Sequence, residues 1–329
     1  MATVLVADPE DLLRPYAEEQ QVAARRGARF VFSNETPPCV RDAEVILSAT
    51  IPVDADTMLA LPRCRMIVRY GIGVDTIDVA AATAAGIVVA NAPTYCVSEV
   101  ADYTAGLIVS WNRRIPWWSD QLRRGHWPVG DERLIGVRRL SRLTLGLIGL
   151  GKIGQEVARR MAAFGMEILA FDPYLSDDAI RSRSAMPATF AALLRTSDIV
   201  SLHVPLHPAT HHLIDEHALA MMKPTALLVN TSRGKVVDEQ ALIAALEQDR
   251  LGGAALDVLA DEPPAPGHPL LAMDPRRVIV TPHCAASSVD MVSELHREVA
   301  DAIDMLLDDC WPAATINPAV VPKHPLRYR

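Results

Sequence analysis

Positive charge is in deficit in this 329-residue chain: 32 lysines and arginines face 40 aspartates and glutamates, for a net charge of -8. No arginine-rich face interleaved with aromatic residues offers itself to a phosphate backbone, so nucleic acid is not an expected partner. Cysteine is sparse and odd in number. Cys39, Cys64, Cys96, Cys284 and Cys310 are scattered without a Cys-x-x-Cys pair, which suits reduced thiols in a cytoplasm and gives no disulfide framework. One uncharged stretch, Val79 to Ser98, is long enough to raise the membrane question, but Gly86, Asn91 and Pro93 break it into a helix end, a strand and a loop. No membrane association is expected. The N-terminal MATVLVADPEDLL lacks the basic segment and cleavage site of a signal peptide, so the expected location is the cytoplasm.

Half of the residues are apolar, enough for two domains with cores of their own. Short Val/Ile/Leu-rich runs recur between helical patterns: TVLVAD, RFVFS, EVILSA, RMIVRYG and GIVVANAP come first, then LTLGLIGLG, EILAFDP, DIVSLHVP, ALLVNTS, GAALDV and RVIVTPH. Strands this uniformly apolar are covered on both faces, so each series predicts a parallel sheet flanked by helices. The join falls in the helical VADYTAGLIVSWNRR. A second join follows TPHCAASS, where SVDMVSELHREVADAIDMLL reads as one amphipathic helix. The expected architecture is α/β throughout, with residues 99–288 inserted into a discontinuous domain of residues 1–98 and 289–329 and a cleft between the two.

GLGKIG, Gly149 to Gly154, closes the strand LTLGLI and opens the helix KIGQEVARRMAAFG. Glycines are needed where the turn is tight, where a pyrophosphate must approach the backbone, and where helix and strand sit close together. Asp172 ends the next apparent strand. A carboxylate there accepts hydrogen bonds from ribose hydroxyls and repels a 2'-phosphate, which favours NAD over NADP.

Four further residues stand at or just beyond strand ends, the edge where open α/β sheets bind ligands: Arg233 in NTSRG, Asp257 in ALDV, Glu262 in DEPP and His283 in TPHCAASS. Taken singly, the arginine also suits a turn, the acids a solvated loop, and the histidine a metal site or a packed interior. Together with GLGKIG, Asp172 and HPLL, in this order, they resemble the D-2-hydroxyacid dehydrogenase family, which includes phosphoglycerate dehydrogenase-like enzymes and C-terminal binding proteins. The likeness spans nearly the whole chain, because RYGIGVDTID and SEVADYT resemble the family's substrate loop and interdomain helix.

The resemblance implies two Rossmann-like or flavodoxin-like parallel-sheet domains, with NAD held by the inserted one. Arg233 is then expected to bind the carboxylate and carbonyl of a 2-oxo acid, and His283 to exchange the proton with Glu262 raising its pKa. The amides of Tyr70, Gly71, Ile72 and Gly73 are expected to hold the same carboxylate, and the Tyr70 hydroxyl to select substrate size or charge. Cofactor contacts are expected from Gly149, Gly151, Lys152, Ile153, Gly154, Asp172, Val204, Pro205, Thr231, Ser232, Asp257 and Ala285. A homodimer built on the nucleotide domains is the family habit. Three alternatives stay open: an NADH-sensing regulatory protein like the C-terminal binding proteins, phosphite as an unusual donor, or a phosphonate acid as substrate.

Other features carry no site. Hydride transfer to a carbonyl needs no covalent adduct, so Cys284 is not expected to act as a nucleophile. The histidines of HVPLHPATHHLIDEH lie around Pro205 and Pro208, which prevent the helix that would align them, and no HExxH is present; no metal is expected. Trp117, Trp118 and Trp127 are read as packing or a subunit contact. Two departures from the family pattern stand out. Ala286 replaces the tryptophan of C-terminal binding proteins, and the sequence carries no counterpart of the regulatory C-terminal domain of long phosphoglycerate dehydrogenases.

Overall fold

Twelve strands, all paired in parallel, form two separate sheets in the computed structural model, which describes residues 1–9, 12–32, 41–131 and 136–328. The chain divides into two compact units, Met1–Cys96 with Ser288–Arg329, and Val97–Ser287. Cys39 lies outside the described residues.

The first unit contains β1 (Thr3–Val6), α1 (Ala17–Arg25), β2 (Arg29–Phe32), β3 (Val45–Ser48), α2 (Ala55–Leu59), β4 (Met66–Arg69), α3 (Val79–Ala84) and β5 (Val88–Ala90). Its sheet order is β2-β1-β3-β4-β5, the flavodoxin-like winding. Strands β1 and β3 are buried along their whole length, as their unbroken apolar runs require of a sheet covered on both sides. The uncharged stretch from Val79 resolves into α3, β5 and a loop, and no helix among the described residues is long and apolar enough to cross a membrane.

The second unit holds α4 (Val97–Arg113), α5 (Ile115–Arg123), β6 (Thr144–Ile148), α6 (Lys152–Ala163), β7 (Glu167–Phe171), α7 (Asp177–Arg181), β8 (Met186–Pro187), α8 (Phe190–Thr196) and β9 (Ile199–Leu202). It continues with α9 (Glu216–Met221), β10 (Leu227–Asn230), α10 (Glu239–Glu247), β11 (Gly253–Leu256), α11 (Pro269–Ala272) and β12 (Val278–Val280). The order β12-β11-β10-β9-β6-β7-β8 reverses direction between β6 and β9. In a doubly wound sheet the crevice outside the carboxyl ends of strands at such a reversal is where ligands bind.

The last helix, α12 (Val289–Leu307), belongs to the first unit. It packs along α1, where Arg26 bonds both Asp304 and Asp308 at 2.7 Å. The Arg26 hydrogen bond, against the cost of burial, pulls the Asp304 carboxyl down to about 2. Beyond α12, Asn317 accepts from the Val89 amide and donates to the Ile87 carbonyl, which seals the edge at β5.

Helix starts follow local chemistry. Asp54, Asp78, Ser176, Thr189, Asp215, Asp238 and Ser288 each accept from the backbone N–H three residues on, each cap contributing about 1 kcal/mol. Helix α6 differs. Its N-cap is Gly151, which offers no side-chain bond to the amides of the first turn.

Candidate active site

The glycine loop lies at the reversal between β6 and β9. Gly149 has φ +90, and a β-carbon there would strike the His203 carbonyl at the end of β9. Only glycine fits such a backbone at such an approach. A β-carbon on Gly151 would meet nothing within 4 Å, so the space before the uncapped start of α6 is open. Bare amides, a helix dipole and an empty cradle fit the pyrophosphate of a dinucleotide. Lys152 and Ile153 form the first turn of α6, Gly154 packs against the Gly149 carbonyl, and Val204 borders the loop from β9. The Pro205 carbonyl accepts from Thr210 at 2.6 Å, bracing the loop that follows.

Asp172 leaves the end of β7 and turns back to the glycine loop. Its carboxylate accepts from the Leu150 amide at 2.9 Å and from the Tyr174 amide at 3.0 Å.

A second group of residues follows β10, β11 and β12, which are neighbours in the sheet. His283 Nδ1 lies 2.6 Å from Glu262 Oε2, and Glu262 Oε1 accepts from the Leu259 amide at 3.0 Å. Burial works to raise the Glu262 pKa, but the His283 hydrogen bond, the Leu259 amide and the charges of His283 and Arg233 outweigh it and hold the carboxyl below its ordinary range. Arg233 thus acts on the same carboxylate as His283. The close approach of Gly234 to the Leu259 carbonyl brings the two loops together. Asn230 fixes the Arg233 turn: Nδ2 donates to the Arg233 carbonyl, while Oδ1 accepts from the Ser232 amide and hydroxyl. The Thr231 hydroxyl is bonded to Thr104 on α4 at 2.9 Å.

Asp257 is almost fully buried, at 1% exposure. Its carboxylate accepts from the Thr281 hydroxyl at 2.6 Å, the Cys284 amide at 3.0 Å and the Ala285 amide at 2.8 Å. Its carbonyl accepts from the His283 amide at 2.8 Å. One residue therefore pins both sides of His283, whose own backbone is left-handed at φ +50, a conformation that costs a non-glycine residue of order 1 kcal/mol. The Asp257 carboxylate and the Ala285 amide, expected at the cofactor, bond each other. Beneath them Tyr103 touches Cys284 Sγ at 3.2 Å. Burial first, then that contact, pushes the Tyr103 phenol up to about 12.

In the first unit the substrate-loop expectation needs a correction at Tyr70. Its amide is spent on the Ser48 carbonyl, and its hydroxyl donates to Glu19 Oε1 at 2.8 Å inside the core, where His296 Nδ1 meets the same oxygen at 2.6 Å. The run of apolar residues before Tyr70 carries its ring inward. The carbonyls of Tyr70, Gly71 and Ile72 bond to Arg69, Ala92 and Asn91. Peptide planarity then turns the amides of Gly71, Ile72 and Gly73 away from those partners.

The Glu19–His296 pair was not visible as a pair in the sequence, since its members lie on α1 and α12. Only Glu18, Glu19 and His296, among the described residues, gather as a potential three-ligand metal group. The histidines between His203 and His217 do not. Burial pushes His203 down to about 4, so that ring is neutral.

A family model for the D-isomer specific 2-hydroxyacid dehydrogenase NAD binding domain matches residues 105–285. This chain belongs to that family. It is 36% identical over 99% of its length to a D-3-phosphoglycerate dehydrogenase from Methanocaldococcus jannaschii, and spans 61% of that relative's length. Its fold is similar to the D-lactate dehydrogenase of Aquifex aeolicus complexed with NAD and lactic acid, with a TM-score of 0.82 and 29% identity, covering 93% of this chain and 95% of that one. A NADPH-dependent glyoxylate/hydroxypyruvate reductase from Sinorhizobium meliloti, in complex with NADP and malonate, gives a TM-score of 0.82 at 28% identity over 100% and 99% of the two chains. The matched residues form the family's dinucleotide-binding unit.

Proposed function

We propose that this protein is an NAD-dependent D-2-hydroxyacid dehydrogenase, which interconverts a small 2-oxo acid and its D-2-hydroxy acid, with residues 99–288 as the nucleotide domain and the remainder as the substrate domain. The observation that carries the reading is the 2.6 Å His283–Glu262 contact with the charge of Arg233 on the same carboxylate. Gly149, Gly151 and the first turn of α6 would hold the pyrophosphate of a dinucleotide, whose nicotinamide would supply or accept the hydride. Arg233 binds the substrate carboxylate and polarises the carbonyl. With Nδ1 donating to Glu262, His283 presents Nε2 to the substrate oxygen, gives it a proton as the hydride arrives, and takes it back in reverse. Asp172 at the ribose supports NAD over NADP.

The family habit and exposed apolar residues on and after α5, Ile115, Leu122, Trp127 and Val129, support a homodimer. Sedimentation velocity checks it.

The test of function is NADH oxidation against glyoxylate, hydroxypyruvate, pyruvate and branched and phosphonate-bearing 2-oxo acids, with NAD reduction by phosphite alongside. His283→Ala is expected to lose turnover at least a hundredfold, the scale of general acid catalysis, while still binding NADH. Near-normal rates in that variant on a good substrate overturn the reading.

A further inference from the structure

Arg183 follows α7 in the turn that leads to β8, with the next residue, Ser184, left-handed at φ +59. The turn sends the half-buried guanidinium back across the sheet edge, where Nη1 donates to the Leu150 carbonyl at 3.3 Å. Leu150 is the residue between the first two glycines of the loop, and its N–H is the group that Asp172 accepts at 2.9 Å. Leu150 is thus held on both sides, by a carboxylate at its amide and a guanidinium at its carbonyl. Among the described residues no carboxylate ion-pairs with Arg183. Most of its N–H donors face away from that single bond.

We propose that Arg183 is a specificity-determining residue that binds the 2'-phosphate of NADP(H), opposing the discrimination exerted by Asp172. This rests on the reading of the glycine loop as the dinucleotide site. A carboxylate alone rejects a 2'-phosphate, whereas a guanidinium within reach offers it a paired, charge-assisted site. The chain therefore prefers NADH but retains a measurable affinity for NADPH, and the strength of the preference is set by the balance of two side chains that meet at Leu150.

Fluorescence titration of the full chain with NADH and NADPH, and displacement of NADPH by 2',5'-ADP against 5'-AMP, tests this without turnover. Asp172→Asn keeps an acceptor for the Leu150 amide and is expected to tighten NADPH about tenfold or more, the scale of a charge-assisted contact. Adding Arg183→Ala reverses that gain by about tenfold, weakens 2',5'-ADP equally, and changes NADH and 5'-AMP by less than about threefold. Should the double variant bind NADPH as tightly as Asp172→Asn, the proposal is wrong. If Asp172→Asn does not fold, Arg183→Ala alone decides, and an unchanged affinity for 2',5'-ADP overturns the proposal. A wild-type chain that binds neither dinucleotide refutes the underlying reading, and the inference falls with it. NADH binding beside an Arg183-independent response to the 2'-phosphate refutes the inference alone.

Discussion

Replacing Asp257 by alanine leaves three donors, the Thr281 hydroxyl and the Cys284 and Ala285 amides, without their acceptor. A hydrogen bond to a charged group contributes about 1.5–3 kcal/mol, but the three share one carboxylate and half-buried Cys284 admits water, so the losses do not add. The expected cost is about 3–5 kcal/mol. For a unit spanning Val97–Ser287, that lowers the melting temperature by about 6–20 °C. Asp257→Asn keeps one acceptor but turns an NH2 toward one of the donors, and is expected to cost about 1–3 kcal/mol. Calorimetry measures both, and hydrogen exchange at Cys284 and Ala285 localises the effect. The left-handed His283 depends on this anchor, so its imidazole loses its position together with the loop. An alanine variant that melts within about 2 °C of wild type and leaves those two amides protected would refute the view that Asp257 holds the His283 loop.

Gly151→Asp supplies a helix cap while placing a carboxylate in the open space before α6; the expected result is an unchanged or higher melting temperature with NADH affinity reduced at least about a hundredfold. Burial opposes the charged form of His296, but the hydrogen bond to Glu19 and the charge of that carboxylate outweigh it and raise the pKa from the ordinary 6.5. Because the folded pKa is the higher one, that stabilisation is complete below 6.5 and is lost as pH rises through the raised value. A melting curve measured from about pH 6 to pH 9 should fall for wild type and stay flatter for His296→Gln. Fully buried Leu147 on β6 should cost about 2–5 kcal/mol when truncated to alanine, read by denaturant unfolding.

Much of the fold could be read along the chain. Runs such as TVLV and LLVN have no polar face, and a parallel sheet between helix layers is the arrangement that buries such strands completely. Strand β8 escaped because two residues, one of them proline, carry no period. The long α12 showed its apolar stripe plainly, whereas its contact partner α1 did not, because packing between distant segments leaves no local pattern. At the site, Arg233, Glu262 and His283 were legible as polar residues just past apolar strands. Tyr70 misled for the same reason in reverse: a polar aromatic after a strand has no local feature that tells inward from outward.

Periodicity, the N-cap residues and the spacing of glycines are properties of neighbours in sequence, and they determined the layered α/β class, the start of α6 and the position of a dinucleotide loop. Distance between remote residues is not such a property. Only tertiary structure decided that β10, β11 and β12 stand side by side, that Glu262 meets His283, that Asp257 turns to the loop, and that Glu19 pairs with His296. Each of these depends on which strands and helices become neighbours, and burial of whole faces settles that.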